Sequence, residues 1–158
     1  SGKLPLGQEL VEQRGLSVSV LYKDLKGNKI DLSKLQQGQD FVATVSVSNM
    51  KNENVYDIAL TQIFPSGWEI VNTRFTDFGD TTTSQARYTD IRDDRVNFYF
   101  DLNRKGKQDT KTFNVMLNAS YLGTYYLPGI QAEAMYDNEI SARVAGQWVD
   151  VKPAGSSK

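Results

Sequence analysis

The sequence predicts an all-β chain: an antiparallel β-sandwich of immunoglobulin or fibronectin III-like kind, with about seven to nine strands. Three observations carry that prediction. Apolar residues recur with a period of two, which puts one face inward and one face outward along each extended segment. Clusters of Gly, Pro, Asn and Asp separate these segments at short intervals. Segments with a helical repeat are nearly absent.

Taken in order, residues 1–14 read as a linker or N-terminal arm, with a weak helical pattern over residues 4–14. The sandwich is expected over residues 15–152. Leu16, Val18, Val20 and Tyr22 alternate with Ser17 and Ser19, the pattern of a half-buried strand that ends at the turn Lys26-Gly27-Asn28. Residues 31–37 predict one short helical turn, with Asp31 as N-cap and Gly38 as the terminating glycine. Phe41, Ala43, Val45 and Val47 form the next inward set, followed by a turn over residues 49–54. Ala59, Thr61 and Ile63 continue the rhythm into the turn Pro65-Ser66-Gly67, from which Trp68 enters a strand over one end of the core. Val96, Phe98, Phe100 and Leu102 are joined through Arg104-Lys105-Gly106 to Phe113, Val115, Leu117 and Ala119. Residues 125–127 and 130–134 are extended on either side of Pro128-Gly129, and a last strand over 146–151 carries Trp148. Residues 153–158 are small and polar, the composition of a disordered tail.

Composition narrows the function. The chain has 158 residues, enough for one domain with its own core. A net charge of −1 supplies no field for nucleic acid or an anionic membrane. No apolar run approaches the ~20 residues needed to span a bilayer, and direct membrane insertion is not expected. No secretory leader is read, and Ser1-Gly2 has the look of a cloning remnant, so compartment stays open. Without Cys or His, zinc fingers, cysteine nucleophiles and Ser-His-Asp triads are excluded. No cofactor is implied.

Candidate sites are few. Asp90, Asp93 and Asp94 could hold Ca²⁺, but Arg92 and Arg95 lie among them and repel a metal, so residues 88–95 read as a structural corner with no metal site. Arg104, Lys105, Lys107 and Lys111 make a basic hairpin tip beside Asp101 and Asp109, too narrow and too poor in aromatics for nucleic acid. Glu133 and Asp137 resemble a glycosidase pair in residue type alone. No acid, base and nucleophile can be assembled, so an enzyme is not expected. Met135-Tyr136 is the distinctive feature: a thioether and a phenol set just before Asp137-Asn138, a turn-forming dipeptide. A core does not need large side chains at a loop edge, so the pair is expected to be exposed and to touch something outside the domain; the alternative reading of the residues alone is a core Met beside a Tyr whose hydroxyl reaches backbone. Tyr99 and Tyr121 are the outward-leaning aromatics that a second reading, a generic cell-surface adhesive or carbohydrate-binding sandwich, would use.

One resemblance extends over residues 15–151. It rests on Gly15-Leu16, Tyr22-Lys23-Asp24, Ile30-Asp31-Leu32, Leu35-Gln36-Gln37-Gly38-Gln39, Phe64-Pro65-Ser66-Gly67-Trp68-Glu69-Ile70, Asp90-Ile91-Arg92-Asp93-Asp94-Arg95-Val96, Leu127-Pro128, Glu133 and Met135-Tyr136, in that order. This set resembles the C-terminal macroglobulin-like domain, of MG10 type, of bacterial α2-macroglobulins. The resemblance implies a non-catalytic domain of a long, exported protease inhibitor, tethered in the periplasm or at the cell surface through a lipidated N-terminus. Its partners would be the thioester domain and neighbouring macroglobulin domains of the same parent, and the proteases that the parent traps. It further implies that Met135 and Tyr136 belong to the shield over the parent's Cys–Gln thioester. This chain has no Cys, so that bond would lie elsewhere in the parent.

Overall fold

A computed structural model describes residues 12–72, 88–106 and 109–154. The described chain is built from strands and one 3-10 turn. Six strands form one sheet: β1 (Glu12–Arg14), β5 (Val55–Ile63), β7 (Tyr88–Ile91), β8 (Arg95–Leu102), β11 (Gln131–Ala134) and β12 (Asp137–Arg143). Their spatial order is β1-β12-β11-β5-β8-β7, antiparallel throughout. Facing it are β2 (Leu16–Lys23), β4 (Gln39–Asn49), β9 (Thr110–Ala119) and β6 (Trp68–Asn72), in the order β2-β4-β9-β6. A third, smaller sheet joins β10 (Gly123–Leu127), β13 (Gln147–Lys152) and β3 (Leu35–Gln36), with β13 and β3 parallel. The all-β antiparallel sandwich is as expected. Thirteen described strands replace the predicted seven to nine, because short edge strands of two to four residues are too brief to show a period.

The core lies between the two larger sheets. Phe113 of β9 is stacked on Phe98 of β8 with centroids 4.5 Å apart and tilted against Phe100 at 4.8 Å, and all three are buried. Each such side chain contributes roughly 1.5–3 kcal/mol by leaving water. The inward sets of β2, β4, β8 and β9 are those that alternation predicts, apart from Val20, which is half-buried. Val42 is buried as well, on the other face of β4. Trp68 is buried at one end against Phe41, with centroids 4.8 Å apart, whereas Trp148 is exposed and meets Tyr126 edge-on.

Four local expectations are corrected. In β5 the buried residues are Val55, Ile58, Leu60 and Gln62, not Ala59, Thr61 and Ile63. The phase is off by one because a bulge lies between Val55 and Ile58, and one extra residue exchanges the faces of a strand. The helical turn over residues 31–37 shrinks to a 3-10 turn, Leu32–Lys34. Asp31 caps it as predicted, accepting from Ser33 N at 2.9 Å, but Leu35 is drawn into the core and pairs with Val151. Gly38 does have positive φ, and its N–H donates to the Ala119 carbonyl instead of closing a helix. At the N-terminal arm, Glu12–Arg14 is an edge strand on β12 and not part of a helix, while residues 1–11 lie outside the described residues. Of the tail, residues 155–158 also lie outside them.

Two buried amides differ sharply in how they are satisfied. Asn49, wholly buried, donates from Nδ2 to the carbonyls of Glu53 (2.9 Å) and Asn103 (2.8 Å), and its Oδ1 accepts from Lys51 N. It thereby ties the β4–β5 and β8–β9 loops together at one end of the sandwich. Gln62 is equally buried, yet neither its Oε1 nor its Nε2 has a hydrogen-bond partner among the described residues.

Candidate functional site

Ala134 pairs with Asp137, so Met135 and Tyr136 are the two residues of the loop between β11 and β12. Asp137 and Asn138 open the return strand; the turn is two residues earlier than predicted. Asp137 still acts locally, its Oδ1 accepting from Glu139 N at 3.1 Å. The register jumps between Glu133, which is opposite Ser141, and Ala134, which is opposite Asp137, so the return strand is the longer by three residues here. The tip therefore projects from the end of the sheet: Met135 is 45% exposed and Tyr136 85% exposed. The sequence-based expectation that both side chains stand outside the core agrees with this placement.

The tip is not loose. Met135 N–H donates to the Asp57 carbonyl at 2.9 Å. Asp57 sits in the β5 bulge with φ of 58°, a left-handed conformation that non-glycine residues adopt at a cost. Its own N–H donates to Asp101 Oδ1 at 2.8 Å. The other bulge residue, Tyr56, is 60% exposed and accepts from Asn54 Nδ2 at 3.0 Å through its hydroxyl. Tyr56 and Tyr136 flank one shallow depression floored by Val55, Ala134 and Ile140. Sequence reasoning missed Tyr56, although a signal was present: Val55 and Ile58 are three apart, a break in the period of two.

The other candidates lie elsewhere or come apart. The corner that includes Asp90 and Arg95 is at the opposite end, because Arg95 is opposite Ile63 while the tip is near Val55 and Leu102. Arg92 Nε reaches Asp90 Oδ1 at 3.2 Å, and Arg95 Nε reaches Asp94 Oδ1 at 3.1 Å. The Arg95 hydrogen bond holds the Asp94 carboxyl below its ordinary range. Among the described residues no three His, Cys, Asp or Glu side chains gather to hold a metal. Glu133 of β11 accepts from Gln131 Nε2, and Asp137, at the start of β12, accepts from Glu139 N, so each carboxylate is engaged locally. Tyr99 stands on the six-stranded sheet and Tyr121 beyond β9, bonded to Glu69 at 3.2 Å, so they share no platform. Arg104 and Lys105 lie at the same end as the tip, where Arg104 N–H donates to Asn54 Oδ1 at 2.9 Å. Lys107 falls outside the described residues.

Chemically, this end of the domain presents a thioether and two phenols on a hydrogen-bonded scaffold, with the carboxylates of Glu53, Asp57 and Asp137 around the same depression. Comparison with known proteins gives the setting. The family model of the bacterial α2-macroglobulin MG10 domain matches residues 15–139. The chain is 31% identical over 134 residues to α2-macroglobulin of Pasteurella multocida (strain Pm70), covering 85% of this chain and 7% of that protein. It is 24% identical to an α2-macroglobulin homologue of Yersinia pestis, again over 84% of this chain and 7% of the relative. Among solved structures, Salmonella α2-macroglobulin reacted with methylamine superposes with a TM-score of 0.81 at 24% identity, covering 92% of this chain and 10% of that one. The native conformation of Escherichia coli α2-macroglobulin gives 0.81 at 20% identity, over 95% of this chain and 10% of that one. The chain thus spans 7% of the length of the curated relatives that it matches, and those relatives are long chains with room for many other domains. Sequence match, coverage and fold agree: this chain belongs to the bacterial α2-macroglobulin MG10 domain family.

Proposed function

We propose that this domain is a non-catalytic docking module of a protease-trapping parent, and that Met135-Tyr136 packs on the parent's thioester domain and keeps water and small amines from the thioester. The observation that carries the reading is the tip itself: two large side chains turned outward on a hairpin that is hydrogen-bonded to the sheet behind it. A polarizable Met beside an aromatic ring makes a compact apolar cover, and the phenol can hydrogen-bond across the contact. A thioester lasts only where nucleophiles are excluded. Cleavage of a bait segment in the parent would then shift the population toward a state in which the domains separate and the bond is exposed to the captured protease. On this reading the parent is exported and membrane-tethered, and it works in the periplasm or at the cell surface.

The test is the intact mass of the full-length parent, incubated with and without methylamine, for wild type and for Tyr136→Ala. A slow adduct in wild type that becomes fast in the variant is the expected result. Equal adduct rates in the two would refute a shielding role for Tyr136. No adduct in either would place the domain in a parent without a reactive thioester.

A further inference from the structure

We infer that Asp101 is a positioning residue for the tip: its carboxylate fixes the β5 bulge, and the bulge fixes the Met135-Tyr136 turn. Its functional meaning rests on the docking reading above; its structural content does not. Val55 is opposite Leu102 and Ile58 is opposite Phe100, so Tyr56 and Asp57 together face Asp101 alone. At such a bulge the strand loses a regular ladder bond, and one backbone donor needs another acceptor. Asp101 Oδ1 supplies it, 2.8 Å from Asp57 N. With φ at 58°, Asp57 sends its carbonyl to the hairpin on the other side, where Met135 N–H donates to it at 2.9 Å. A left-handed Asp persists where its surroundings over-determine it, and here β8 holds it from one side and the hairpin from the other.

The same bulge sets the phase of β5. It turns Tyr56 outward beside Tyr136 while returning Ile58 to the core. If the bulge relaxed, a one-residue slip would exchange the faces of β5 and withdraw both the Tyr56 ring and the carbonyl that anchors Met135. The chain from Asp101 Oδ1 to Asp57 to Met135 is thus a short mechanical link between a half-buried carboxylate and the exposed tip.

Amide hydrogen exchange on this chain, read residue by residue by NMR, tests the link. The amides of the β4–β9 ladder serve as the internal reference. Asp101→Ala is expected to lower protection at Met135 by about tenfold relative to that ladder, the size of one lost hydrogen bond. Asp101→Asn keeps an acceptor oxygen and is expected to hold Met135 within about threefold of wild type. Unchanged Met135 protection in Asp101→Ala overturns the assignment, and so does an Asn variant that behaves like the Ala variant. Should Asp101→Ala lose the β4–β9 protection too, Asp101→Asn decides alone: retained protection at Met135 supports the link, and a tenfold loss overturns it. Failure of the docking reading would be seen separately, in the parent's response to Tyr136→Ala.

Discussion

Replacing Gln62 by methionine is expected to stabilise the domain, which is unusual for a core substitution. The side chain is wholly buried, between Leu60 of β5 and Phe64 just beyond that strand and opposite Val96, and neither atom of its amide has a partner among the described residues. Burying an amide without compensation costs about 1–3 kcal/mol by protein mutational data. Methionine has nearly the same length and volume and bends to fit, so overpacking adds little. The expected gain is therefore about 1–3 kcal/mol, the desolvation that is no longer incurred. Urea unfolding reads it directly: with a slope near 2 kcal/mol/M, the midpoint rises by about 0.5–1.5 M while the slope is unchanged. In a thermal scan the same gain is about 2–4 °C per kcal/mol for a domain of this size. A midpoint that falls on Gln62→Met would refute the reasoning, because it would mean that the amide is satisfied by a bound water or by a partner outside the described residues.

Asn49→Ala should show the opposite sign. It removes three hydrogen bonds at 2.8–2.9 Å and is expected to cost about 2–4 kcal/mol, measured by the same urea midpoint; a loss below about 0.5 kcal/mol would refute the staple. Tyr136→Ala, at an 85% exposed position, should leave that midpoint within ~0.5 kcal/mol of wild type, and a larger loss would mean the ring packs within the domain. Asp24 is held below its ordinary range first by the Asn28 backbone N–H, and Asp31 first by the Ser33 hydroxyl. Depressed carboxyls bind fewer protons folded than unfolded, so their contribution is present above about pH 4 and is lost as pH falls through the folded values. Asp24→Asn with Asp31→Asn should flatten that acid limb; an unchanged limb in a pH-resolved urea series would refute the assignment. Calcium at millimolar level should leave the melting temperature unmoved, since Arg92 and Arg95 already occupy Asp90 and Asp94; a clear rise would overturn that.

The long strands were legible in the sequence because burial on one face enforces alternation, as in the Phe98–Phe100 and Phe113–Leu117 sets. The edge strands Glu12–Arg14 and Leu35–Gln36 were not, since two or three residues carry no period and their partners lie more than a hundred residues away. In β5 the alternation was read in the wrong phase. Polar Gln62 in the core looked like an outward residue, and the bulge that turned it inward is a backbone event with one weak sequence trace. The tip was legible as an exposed pair because large apolar residues beside Asp-Asn have no core reason to be there. Its support was not, because a contact between Asp101, Asp57 and Met135 joins two strands and a hairpin loop that are distant in sequence.

The pairing of β1 with β12, and of β3 with β13, has a consequence for how the domain comes into being. A ribosome delivers the partners of these strands last. At about 5–20 residues per second, the roughly 130 residues between Glu12 and Arg143 take on the order of ten seconds to appear. Throughout that time two segments near the start have nothing to pair with, and the sheet that carries the tip lacks β11 and β12 altogether. A topology dominated by such distant pairings also folds slowly once complete, in milliseconds to seconds. The nascent domain thus stays open until β11, β12 and β13 have emerged.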